Sequence, residues 1–271
     1  MKKFFYKFII VLTLFSIIVY AVFTYADGYT DPFYVRFTTP KQENLVLGTS
    51  RSAQGILPSI LKKEIDKKFF NFSFTISHSP YGEVYLKAIK RKLKKESKNQ
   101  LFILAVDPWS ISSKTSNPND HDNFREKNLI LDNMMLFNYN PNFEYILKNY
   151  KGSYLELLDK SDCKNNMFLH DNGWLEVNFN MDNEVVEKNI ENKIKFYKDK
   201  QLPKYSFSSR RFKKLRETIT YLNEYGNVFL VRLPVHKEMF NLEQQLMPDF
   251  NQKIRQLDSI IIKYTDFTDK N

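Results

Sequence analysis

The chain is poor in the residues that define several protein classes. One cysteine, Cys163, occurs in 271 residues, so no internal disulfide can form and a disulfide-stapled scaffold is excluded. Histidine is almost as scarce. His78, His121, His170 and His236 fall at no spacing that pairs metal ligands, so neither a metal nor another cofactor is expected. Glycine appears only seven times, against heavy use of Lys, Asn, Phe and Tyr. That usage resembles an AT-rich bacterial genome and bears on origin, not chemistry. No internal repeat is present. What the chain does have is apolar mass: 42% hydrophobic and 15% aromatic residues exclude a disordered chain.

Charge is missing from one stretch in particular. Phe8 to Phe23, FIIVLTLFSIIVYAVF, contains none. With Phe4, Phe5, Tyr6 and Thr24 to Ala26 added, the mostly apolar run exceeds about twenty residues, enough to cross roughly 30 Å of hydrocarbon as a helix. Lys2, Lys3 and Lys7 precede it and Asp27 follows it, which puts the N-terminus in the cytoplasm and the remainder outside. The expected location is a bacterial cytoplasmic (inner) membrane, crossed once, with an extracytoplasmic domain. Thr24-Tyr25-Ala26 also reads as a small-residue cleavage site of a signal peptide. The long apolar run and the aromatic Phe23 and Tyr25 favour an uncleaved anchor, and either reading exports the domain.

Net charge is +10, of which Lys2, Lys3 and Lys7 supply three, leaving +7 on the exported part. These charges are spread along helical stretches such as 87–98 (KAIKRKLKKESK) and 210–217 (RRFKKLRE). A solvated helix face accounts for them; attraction to anionic lipid or envelope glycan is the other reading. Nucleic acid is not expected as a partner on the far side of a membrane.

Residues 1–26 thus form a cytoplasmic tip and transmembrane anchor, 27–42 a turn-rich linker, and 43–271 one α/β domain. Short apolar runs at Asn44 to Leu47, Leu101 to Val106 and Asn227 to Leu233 predict buried strands. Phe69 to Ile76 alternates as a strand does. Helical spacing covers Ser52 to Lys68, with Pro58 in its first turns, Tyr81 to Lys95 and Phe207 to Tyr225. Residues 126–200 read as an insertion, helical near 141–159 and 183–200. Strands alternating with helices imply a mainly parallel sheet.

In such a sheet, chemistry sits at the carboxyl ends of the strands, where the strand order reverses. The first such end is Leu47-Gly48-Thr49-Ser50-Arg51-Ser52. Glycine lets the chain turn off the strand, and Ser50 falls where a helix begins. There it is either a nucleophilic hydroxyl beside unpaired backbone N–H groups or, like Ser52, a helix N-cap.

The stretch LVLGTSRSAQGILPSIL resembles the first block of the SGNH-hydrolase superfamily, in its membrane-anchored envelope branch. Gly48-Thr49-Ser50-Arg51 and Gly55-Ile56-Leu57-Pro58 carry the resemblance. LFILAVDPWSIS and NVFLVRLPVHKEMF are similar to the third and fourth strands of that family, and the segment from Asn71 to Gly82 to its second. The resemblance implies a three-layer α/β/α sandwich and ester chemistry, with Ser50 as nucleophile and the N–H groups of Ser50 and Gly82 stabilising the oxyanion. It also implies acyl groups on cell-envelope glycans, or an acyl donor, as the substrate, through hydrolysis or transfer.

Two family features are missing. Val106-Asp107-Pro108 stands where the family places an oxyanion asparagine. No Asp-x-x-His follows the last strand, around Ile260 to Phe267, so the family's base is absent. The expectation is a chain truncated at its C-terminus and weak or inactive as an esterase. Among the four histidines His236, directly after the fourth strand, is the best substitute base. The alternative keeps the fold as a non-catalytic envelope scaffold that binds glycan or a membrane-bound acyltransferase, with Ser50 only a cap.

Overall fold

The computed structural model describes residues 1–159 and 166–268; Cys163 and the stretch after Thr268 lie outside the described residues. Helix α1 (Lys2–Phe23) carries no charge beyond Lys7, is exposed along almost its full length, and is long and apolar enough to cross a membrane. The expected linker differs from the expectation. Helix α2 (Tyr34–Thr38) is buried at every position, and Arg36 explains why. Its guanidinium donates to the carbonyls of Pro32 (2.9 Å), Asn71 (3.2 Å) and Gly173 (2.8 Å), which compensates a charged group with no solvent access.

Strand β1 (Asn44–Leu47) is followed by two short helices, α3 (Ser50–Gly55) and α4 (Pro58–Ile65), instead of the single helix expected over 52–68. Pro58 has no N–H and holds Leu57 extended (φ −91°, ψ 112°), so it begins a helix and cannot sit inside one. Strand β2 (Phe69–Asn71) is shorter than its alternation predicts. The Asn71 N–H turns to the carbonyl of Asn172 (2.8 Å), and its side-chain amide donates to the carbonyls of Ser52 (2.7 Å) and Ile56 (3.0 Å).

Next come α5 (Glu83–Lys92), β3 (Gln100–Ala105) and the short β4 (Ser112–Ser113). The insertion holds α6 (Ile130–Asn133), α7 (Phe143–Lys148), a hairpin of β5 (Met167–Leu169) and β6 (Leu175–Val177), and α8 (Asn183–Phe196). The hairpin was not expected from the sequence. The short β7 (Ser206–Phe207) pairs antiparallel with β4. Helix α9 (Ser209–Asn223), β8 (Gly226–Arg232), α10 (Lys237–Leu246), α11 (Phe250–Arg255) and β9 (Lys263–Asp266) complete the domain.

The mainly parallel α/β sheet expected from the alternating signals is present. Its order is β2-β1-β3-β8-β9, every pairing parallel. Leu45, Leu47, Phe102, Leu104, Val228 and Leu230 are fully buried. Helix α9 contributes Leu215, Ile219 and Leu222, an i, i+4, i+7 stripe with no solvent exposure. Each such side chain contributes on the order of 1.5–3 kcal/mol through its removal from water. The chain moves from β1 to β2 on one side and to β3 on the other, so the order reverses between β1 and β3. The crevice at that reversal is where such sheets bind ligands.

Candidate active site

The turn that leaves β1 is built around Gly48, whose φ is +145°. A Cβ there would come within 2.5 Å of Ser52 Oγ and 3.0 Å of Ala105 Cβ, so only glycine fits. Two buried side chains hold it. Tyr85 Oη accepts the Gly48 N–H (3.0 Å), and Ser79 Oγ donates to the Gly48 carbonyl (2.7 Å).

Ser50 is the first residue of α3 and is half-buried. The helix has Thr49 as its N-cap with no side-chain capping bond, and Ser52 Oγ donates to the Thr49 carbonyl at 2.9 Å. Neither serine is the cap. The Ser50 hydroxyl has no hydrogen-bond partner among the described residues and opens on a cavity of about 470 Å³. The cavity is lined by Arg51, Gln54 and Gly55 of α3, by Ile190, Lys193 and Ile194 of α8 with Tyr197 just beyond, by Leu233 to His236, and by Met239 of α10. Ile190, Ile194 and Tyr197 recur at helical spacing in the sequence, within the stretch expected to be helical near 183–200, and it is the fold that brings them to Ser50.

The structure therefore brings Ser50 and His236 to one cavity. His236 is exposed, and its Nδ1 accepts the Glu238 N–H at 3.4 Å, capping α10. In the neutral ring that leaves the proton on Nε2, a donor. Acting as a base at Nε2 requires the ring to give up this long capping bond. Lys193 lines the same space, and its pKa is lowered, first by burial and then by the nearby Arg51.

Gly82 is placed elsewhere. It is the N-cap of α5, and a Cβ on it would meet Glu126 Oε1 at 2.9 Å and Arg211 Nη1 at 3.1 Å. Those two side chains form a buried bidentate pair (2.7 and 3.0 Å), and Gly82 is not among the residues lining the Ser50 cavity. The other histidines are also apart from it. His78 bonds Thr75 Oγ1 through Nδ1 (2.7 Å), and burial, then Arg125, pulls its pKa down to about 4. His121 pairs with Asp122 (3.2 Å), and His170 with Glu176 (2.8 Å) while stacking on Trp174.

Beneath the cavity runs a chain of charges that the sequence did not reveal. Arg51 Nη1 meets Glu243 Oε1 in a short contact and Asp107 Oδ2 at 3.4 Å. Glu243 Oε2 accepts from Arg232 Nη2 at 2.8 Å, and Arg232 Nη1 reaches Asp266 Oδ2 at 3.3 Å. These groups come from the carboxyl ends of four strands and from α10. Burial opposes the charge of Arg51, but Asp107 and Glu243 outweigh it and raise its pKa. Burial pushes the Asp107 carboxyl up. Burial also acts to raise Asp266, but bonds from Thr268 and Asn251 and the charge of Arg232 outweigh it, so its pKa is lowered.

Asp107 stands where the resemblance would put an oxyanion asparagine. Its Oδ1 accepts the Ser110 N–H (2.8 Å), and the Asp107 N–H donates to Ser110 Oγ (3.0 Å), so it caps the turn over Pro108–Ile111 and anchors Arg51. Among the described residues, no group of three His, Cys, Asp or Glu side chains could hold a metal ion. In comparison with known proteins, no family model matches the chain, and no curated protein matches it in sequence.

Proposed function

We propose that this chain is a membrane-anchored protein of the SGNH-hydrolase type, a three-layer α/β/α sandwich whose Ser50 acts on acyl esters of cell-envelope glycans. On this reading α1 crosses the bacterial cytoplasmic membrane with Lys2, Lys3 and Lys7 inside. The observation that carries the proposal is the setting of Ser50. It lies at the carboxyl end of β1, at the point where the strand order reverses, and its hydroxyl serves no cap. The cavity it faces combines a polar floor with the apolar side chains Ile190, Ile194, Val235 and Met239, which suits an acyl chain on a polar alcohol.

The reaction follows from those groups. Ser50 Oγ attacks the ester carbonyl and its proton passes to a nitrogen base, His236 or Lys193. The C–O bond to the sugar breaks, the sugar oxygen takes the proton, and the acyl group stays on Ser50. Water or a second sugar hydroxyl then releases it, so hydrolysis and transfer differ only in the acceptor.

The placement of Gly82 outside the cavity and the capping role of His236 favour a second reading. There the fold is a non-catalytic scaffold that holds glycan or a membrane-bound acyltransferase. The full chain, incubated with a fluorophosphonate probe beside Ser50→Ala, separates the two. Labelling lost in Ser50→Ala supports the esterase, and His236→Gln and Lys193→Met then identify the base. A folded chain that takes no label overturns the esterase and leaves the scaffold.

A further inference from the structure

We propose that an apolar face within residues 135–158 rests in the surface of the bilayer and fixes the orientation of the domain on it. The inference rests on α1 spanning the membrane and is independent of Ser50 chemistry. The 22 residues of α1, at about 1.5 Å each, extend about 33 Å, which spans roughly 30 Å of hydrocarbon with Lys2 and Lys3 at the inner interface and the long side chain of Lys7 reaching back to it. The final turn of α1 then lies at the outer interface.

That turn touches the domain. The ring of Tyr20 lies 6.0 Å from that of Phe143, and Phe23 lies 5.4 Å from Phe143 and 5.6 Å from Tyr154. Phe143 and Tyr154 are accordingly held at headgroup level, where aromatic side chains are favoured. Their neighbours share that level. Leu147 follows Phe143 by one turn of α7, on the same face, and is 64% exposed. Met135 is 74% exposed; its N–H and that of Leu136 bond Glu144 at 2.9 and 2.6 Å, which ties them to the first turn of α7. Leu155 and Leu158, next to Tyr154, are 75% and 54% exposed.

Large aliphatic side chains so exposed, together and beside the end of a membrane span, mark an interaction surface. Their height selects the occupant. A contact to the last turn of a spanning helix leaves lipid as the adjoining medium. Lys151 borders the face and is exposed, with the sign that anionic headgroups attract; Lys148 beside it is exposed and paired with Glu144 at 2.8 Å.

The test uses the full chain in vesicles of phosphatidylethanolamine and phosphatidylglycerol, with Cys163→Ser and one added cysteine carrying an environment-sensitive fluorophore. The positions are Leu155→Cys, Leu12→Cys within α1, and Ile60→Cys as an exposed site on α4 (54%). The expected result is blue-shifted emission at 155 that spin-labelled lipid quenches and aqueous iodide does not, with the reverse at 60. Quenching by lipid at 12 but by iodide at 155 overturns the inference while the span stands. Protection of 155 from both quenchers overturns it in favour of a protein covering the face. Iodide quenching at both 12 and 155 overturns it because the span itself fails.

Discussion

Arg232 and Glu243 meet at 2.8 Å with their side chains 1% and 0% exposed, at the centre of the charge chain beneath the Ser50 cavity. Arg232 also lies over the rings of Phe240 and Phe250, 5.1 and 4.9 Å from their centroids. A charge so enclosed is tolerable only while its partners remain. Glu243 is the shared partner, since its other oxygen holds Arg51, the residue next to Ser50. The interior charge and the mouth of the cavity are therefore one unit.

Replacement of Glu243 by Ala is expected to be severe. It leaves Arg232 with Asp266 alone and Arg51 with the distant arm of Asp107. Removal of one partner from a buried ion pair costs roughly 3–5 kcal/mol, a large part of the stability of an ordinary domain. Urea unfolding of the variant beside the wild type checks this. A loss below about 1 kcal/mol, the worth of an exposed pair, would show that the network is solvated.

The two serines of α3 separate reactivity from stability. Ser50→Ala is expected to change stability by less than about 0.5 kcal/mol, as surface substitutions do, because its hydroxyl bonds nothing among the described residues. Ser52→Ala loses a buried bond to Thr49 and is expected to cost about 0.5–1.5 kcal/mol. Thermal unfolding of both variants decides it. A larger loss for Ser50→Ala would return that residue to the role of helix cap.

Much of this site was local in sequence and therefore legible. The apolar runs at 44–47 and 101–106 became β1 and β3 because a buried parallel strand needs no partner pattern to be recognised. Ser50 and its glycine were legible for the same reason. Long-range compensation was not. Arg36 sits in a turn-rich stretch that reads as exposed linker, and its burial depends on carbonyls at Asn71 and Gly173. Arg51 and Glu243 are 192 positions apart, and no local spacing pairs them. Gly82 is a further long-range case: it is the N-cap of α5 beside the buried Glu126–Arg211 pair, and no local pattern around it announces that packing.

Lys92 should make stability depend on alkaline pH. It is fully buried in α5, and its ammonium donates to the Thr39 carbonyl (2.6 Å), Thr39 Oγ1 (2.7 Å) and Asn138 Oδ1 (3.2 Å). Burial holds its pKa well below the ordinary 10.5. Between the lowered folded value and 10.5 the unfolded chain binds more protons, so stability rises with pH, by at most about 1.4 kcal/mol per pH unit. Lys92→Met keeps an unbranched side chain in the same buried site and removes the titration. The stability difference between wild type and Lys92→Met, followed by urea midpoint from neutral to alkaline pH, should shift steadily toward the wild type. A difference independent of pH would mean that Lys92 keeps its ordinary pKa in the fold.

Two buried tyrosines differ in what they support, and that difference can be measured. Tyr85 donates to the Phe72 carbonyl (2.7 Å) and accepts the Gly48 N–H (3.0 Å), whereas Tyr81, among the described residues, has the one bond it donates to the Ala105 carbonyl (2.8 Å). Tyr85→Phe strands a donor and an acceptor in the interior; Tyr81→Phe strands one acceptor. Each unsatisfied buried group costs about 1–3 kcal/mol, and a carbonyl is more easily left under-satisfied than an N–H. Tyr85→Phe should therefore be the more destabilising of the two in urea. It should also reduce fluorophosphonate labelling of Ser50 under conditions where the variant remains folded, since Gly48 sets the turn that presents that hydroxyl. Equal losses in stability and unchanged labelling would mean that the Gly48 turn is held by Ser79 and its own packing, and that Tyr85 is only a core residue.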